Sequence, residues 1–108
     1  MRPANPMRGE AEIRVAGELR VLRPSFTRLI AAEEELGPLF ALVDRTADGK
    51  LRLDEITALF WHCLEDRTGL TREDMGRAIV EAGLAAMAAP LRVLLTQILQ
   101  GRPGTEAG

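Results

Sequence analysis

The sequence predicts an α+β domain that is mostly α, with an N-terminal β-hairpin packed on four to five short helices. Three observations predict it. Period-2 alternation of apolar and polar residues is confined to a short stretch near the start. From Leu22 onward the apolar residues recur at helical spacing. Proline and glycine then punctuate the chain at Pro24, Gly37-Pro38, Gly49, Gly69, Gly83 and Pro90, which marks the helix ends.

Residues 1–9 carry two prolines and read as a flexible leader. Ala11-Glu-Ile-Arg-Val-Ala16 and Leu19-Arg-Val-Leu22 alternate and form a hairpin over 11–22, with the turn expected at Gly17-Glu18. The pivot of the chain is Leu22 to Gly37. Pro24 and Ser25 start a helix over about 25–36, and Gly37-Pro38 stops it. Its stripe of Phe26, Leu29, Ile30 and Leu36 is expected to face a core.

Further helices are expected at about 38–45, 54–66, 71–82 and 90–100. The third carries Ile56, Leu59, Phe60, Cys63 and Leu64 on one stripe. In the fourth, Thr71 and Asp74 form a capping box flanked by Leu70 and Met75 as a staple. Leu91, Leu94, Leu95, Ile98 and Leu99 make the apolar face of the last. Ala85 to Ala89 fits a helix or a linker equally, and 101–108 reads as a disordered tail.

A 108-residue chain supports one domain with a single core. No twenty-residue apolar run and no secretory h-region occurs, so no membrane association is expected and the cytoplasm is the expected location. With one cysteine there is no internal disulfide and no cysteine-rich metal site. The net charge of −2 and the scattered basic residues argue against nucleic acid. No cofactor motif is present.

Candidate chemistry is sparse. Asp44 to Glu55 can be threaded onto a calcium loop, with Asp44, Thr46, Asp48, Lys50 and Glu55 at ligand positions. Arg52 at the ninth position and the lack of a second loop oppose it. The bland reading is a turn leading into a helix whose first residues are acidic. His62 and Cys63 are adjacent, about 100° apart on a helix, and have no orienting third group, so no catalytic residue is expected. Glu33, Glu34 and Glu35 sit where the helix macrodipole disfavours carboxylates, as a solvated turn or as a recognition patch. Trp61 lies at the edge of an apolar stripe, as core or as a partner anchor. The candidate partner-binding residues are Trp61, Glu33, Glu34, Leu94, Leu95 and Ile98.

Leu22-Arg-Pro-Ser-Phe26, Glu33-Glu-Glu-Leu-Gly37, Leu51-Arg-Leu-Asp-Glu-Ile56, Gly69-Leu-Thr-Arg-Glu73 and Glu81-Ala-Gly-Leu84, together with Gly17, carry a resemblance. In this order and spacing, from about Met7 to Leu99, the chain resembles the tail assembly chaperones of phage-like gene transfer agents and related tailed phages. The resemblance implies a non-enzymatic protein that binds the tape-measure protein and tail-tube subunits during assembly. Self-association is compatible with it. The alternatives are an EF-hand-like calcium-binding module and a small helical adaptor.

Overall fold

A computed structural model describes residues 10–100, so the expected leader and tail lie outside the described residues. The hairpin pairs β1 (Ala11–Val15) with β2 (Glu18–Leu22), antiparallel, from Ala11 opposite Leu22 to Val15 opposite Glu18. The two-residue turn is Ala16-Gly17, one position earlier than the sequence pattern predicts. A tight hairpin turn that follows the strand twist needs positive φ at both central residues. Ala16 (52°) and Gly17 (83°) supply it, the alanine at a steric cost.

Five helices follow: α1 (Phe26–Leu36), α2 (Leu39–Ala47), α3 (Leu53–Cys63), α4 (Arg72–Ala82) and α5 (Ala88–Gln100). A 3-10 turn over Leu84–Met87 links the last two, which settles the ambiguous stretch as helical throughout. Pro90 sits in the first turn of α5, where no backbone donor is required.

α3 is the central element and packs on both α1 and α4. Ile56 to Phe60 are buried in an unbroken run, and Cys63 and Leu64 are buried beyond them. The helix stops at Cys63, three residues short of the expected end. Leu64 turns extended (ψ 126°) and forms a β-bridge with Leu22, while Glu65 N–H donates to Val21 O at 2.9 Å. Tertiary pairing with the hairpin edge therefore outcompetes the last helical turn.

Two arginines fix this junction. Arg28 donates from Nε to Leu64 O (3.2 Å) and from Nη2 to Glu65 O (3.3 Å). Arg20 donates to Asp66 O (3.1 Å), Thr68 O (3.2 Å) and Glu18 Oε1 (2.8 Å). Cations at these carbonyls suit the negative end of the α3 dipole.

The expectation that Phe26, Leu29, Ile30 and Leu36 all face the core is corrected. Ala32 is the residue α1 buries, Leu29 and Leu36 are half-buried, and Phe26 and Ile30 are 79% and 40% exposed. The helix is rolled so that its smallest side chain meets the interior. A larger residue there would hold α1 farther from α3.

Candidate functional site

The three glutamates that end α1 have three different environments. Glu33 Oε2 accepts the backbone N–H of Leu39 at 3.1 Å and so caps the first turn of α2, whose N-cap residue, Pro38, provides no side-chain cap. Glu35 joins three helices. Its Oε2 accepts from Arg72 Nη1 of α4 at 2.5 Å, and its Oε1 lies 2.8 Å from His62 Nε2 of α3. Arg72 first, and His62 after it, hold the Glu35 carboxyl down at about 2, against the opposing effect of desolvation. Glu34 is exposed and has no partner among the described residues.

The acids that break the macrodipole rule at the end of α1 thus do two tertiary jobs and leave one residue over. From sequence Glu35 is part of the acidic turn but not one of the candidate partner-binding residues. The signal was present in the three consecutive carboxylates, but choosing among them required knowing where Arg72 and His62 arrive.

Glu35 and Arg72 stand at one end of a broad groove of about 1300 Å³ between α3 and α4. Its apolar residues are Leu36, Leu53 (43% exposed) and Val80 (60% exposed). The two helices approach closely at its floor, where a Cβ on Gly76 would lie 3.6 Å from the Thr57 methyl. The rim charges are satisfied locally: Arg52 pairs with Asp54 at 3.1 Å, and Arg77 with Glu73 at 3.2 Å. The result is a groove of mixed character, in which Leu36, Leu53 and Val80 are set among charged side chains that are paired within the domain, a shape that accepts an amphipathic helix.

The other singled-out residues are dispersed. Leu94 is fully buried in the core and cannot touch a partner while the domain is folded. Its place among the partner-binding candidates is corrected: α5 turns this leucine inward, where it packs with the elements around β1. Ile98 and Trp61 are partly buried against the same core, and Arg67 stacks 5.0 Å over the Trp61 ring. Leu95 is half-buried and lines a second, smaller groove between α2 and α5.

The segment threaded as a calcium loop is built as a helix end and a helix start. Asp44 and Thr46 belong to α2, and the Thr46 hydroxyl donates to Leu42 O at 2.9 Å. Gly49 takes a positive φ of 71°, and Lys50 N–H closes back on Arg45 O at 2.8 Å. Glu55 accepts the Arg52 backbone N–H at 2.9 Å and forms an ion pair with Arg45. Among the described residues no group of three His, Cys, Asp or Glu side chains is arranged to hold a metal ion. Cys63 is buried, and desolvation pushes its thiol up to about 12, which suppresses the nucleophilic thiolate.

No single helix among the described residues is long and apolar enough to cross a membrane. Comparison with known proteins supplies the remaining constraint. A sequence model of the family described as "Phage tail tube protein, GTA-gp10" matches residues 8–101. No curated protein and no solved structure matches significantly.

Proposed function

The chain belongs to the phage tail tube protein, GTA-gp10, family, and from that premise we propose that it is a tail assembly chaperone of a phage-like gene transfer agent. In this reading it is non-enzymatic and works in the cytoplasm of the producing cell. It shields an amphipathic helical stretch of the tape-measure protein until tail-tube subunits take over.

The observation that carries this reading is the α3–α4 trough. Leu53 and Val80 are large apolar residues left open beside Leu36, and the charges around them already neutralise one another. Apolar exposure of this kind is costly unless it is covered during function. A helix laid in the trough would contribute affinity through its apolar face and register through its flanking charges. Leu95, Ile98, Trp61 and Glu33 would then act through the core and the helix ends that shape this surface.

The test has two parts. Tagged protein recovered from producing cells is expected to bring down the tape-measure and tube proteins, and Leu53→Asp with Val80→Asp to lose them. Finished particles are expected to lack the protein. Its presence in purified particles at the level of the tube would overturn the chaperone role in favour of a tube component.

A further inference from the structure

Among the described residues, Gly76 is the only glycine whose backbone does not call for glycine. The others all have positive φ, whereas Gly76 lies inside α4. The packing does not call for it either. A Cβ there would meet only the Thr57 side chain, at 3.6 and 3.7 Å, which is ordinary contact. Glycine inside a helix weakens it relative to alanine, and no described contact offsets that loss. A local rule broken without structural return points to something outside the domain that needs the space.

The position of Gly76 says where that space is used. It is half-buried and lines the α3–α4 trough together with Thr57. His62 and Arg72 meet at Glu35, while Thr57 meets Gly76, so the two helices run in opposite directions. Leu53 and Val80 therefore lie at the end of the trough away from Arg72. Along α4, Arg72, Gly76 and Val80 form three stations about 6 Å apart, one charged, one bare and one apolar. Arg72 is half-exposed and gives Nη1 to Glu35, and no other described side chain takes its remaining N–H donors. Both oxygens of Glu35 are already engaged, by Arg72 and His62, so the open donors at this end suit an incoming carboxylate.

We propose that Gly76 is the seat for one large apolar side chain, of leucine or methionine size, on an amphipathic partner helix. On the same face that helix carries a carboxylate over Arg72 and a second apolar residue between Leu53 and Val80. Residues four apart on a helix recur at the same spacing of about 6 Å, so one partner face meets all three stations. This rests on the reading of the trough given above and adds the residue that sets which helix fits it.

Titration of the full chain against immobilised tape-measure protein, with urea denaturation of each variant alongside, tests this. Gly76→Ala is expected to raise the denaturation midpoint and yet weaken binding roughly tenfold, because the methyl occupies the seat. Opposite signs in the two readouts separate a seat from a structural glycine. Arg72→Gln is expected to weaken binding about threefold, with the effect shrinking in high salt. Glu35→Gln, which removes the competing carboxylate, is expected to strengthen it. Equal losses from these two variants overturn the charged station, because the clamp itself would then be what binding needs.

Binding that is unchanged by Gly76→Ala but lost in Leu53→Asp with Val80→Asp overturns the seat and leaves the trough as the docking surface. A lowered denaturation midpoint for Gly76→Ala also overturns it, since the fold would then require the glycine. A wild-type chain that does not bind tape-measure protein overturns the reading of the trough, and this proposal with it.

Discussion

Two phenylalanines on two eleven-residue helices have opposite fates. Phe60 of α3 is fully buried, and Phe26 of α1 is 79% exposed. α3 is enclosed by α1 and α4 and buries most of its circumference, including the polar Thr57, which donates to Leu53 O within its own helix at 2.9 Å. α1 has the interior on one side and turns the other outward. α3 is the more apolar helix, with two carboxylates against the arginine and three glutamates of α1, and it also has more neighbours to pack against; both differences favour burial of its phenylalanine. A helix with packing on two sides can bury nearly any apolar residue it carries. A helix with one packed side buries only those on that arc, and the rest become surface available for association.

The largest test of this contrast is Phe60→Ala against Phe26→Ala. Removing the buried ring is expected to cost about 3–5 kcal/mol through lost burial and a residual cavity. Removing the exposed ring should change stability by less than about 0.5 kcal/mol. Urea denaturation midpoints at constant slope measure both. Similar losses at the two positions would mean that α1 is packed far more completely than its exposure indicates.

Gly76→Ala sharpens the comparison on the α4 side of α3. The added methyl would meet Thr57 at 3.6 Å, an ordinary contact, and would remove glycine from a helix interior. Stability is expected to rise by about 0.5–1 kcal/mol. A loss would show that α3 and α4 approach more tightly than this distance.

A smaller effect is expected at the Glu35 clamp, where α1, α3 and α4 meet. Its folded pKa of about 2 lies below the ordinary 4.5, so its contribution is complete above about pH 4.5 and is lost as pH falls from there toward 2. The carboxylate and Arg72 are both partly open to solvent, which limits the gain to about 1 kcal/mol or less. Glu35→Gln should flatten that part of the acid-unfolding profile and leave the neutral plateau lowered by the same small amount. An unchanged acid limb would mean that the clamp contributes nothing. At Cys63 the expected effect on stability is nil, and the readout is chemical. A thiol reagent should label Cys63 only at the rate of opening, with no exposed fast fraction, because the sulfur is buried and its thiolate suppressed.

How much of this was legible in the sequence differs by residue. The Thr71–Asp74 capping box could be read because its partners are three residues apart, and in the structure Asp74 N–H donates to Thr71 Oγ1 at 3.1 Å while Thr71 N–H donates back to Asp74 Oδ2 at 2.9 Å. The glycine that ends α1 was legible for the same reason, since a left-handed stop is a local requirement. The role of Glu35 was hidden because its partners lie 27 and 37 residues away. Leu94 and Leu95 show the limit most plainly. They are adjacent apolar residues on one helix, equal by pattern, and one is core while the other lines an open groove.

The sequence by itself determined the α+β class, the order of hairpin and helices, and the starts of the first four helices to within a residue, because periodicity, capping and turn chemistry act over a few residues. Tertiary structure alone decided how far α1 rolls, where α3 gives way to pairing with β2, which glutamate clamps three helices, and which apolar faces are left uncovered. Those outcomes depend on which surface arrives from a distant part of the chain, and the free energy of burying a side chain is set by that arrival and not by its own identity.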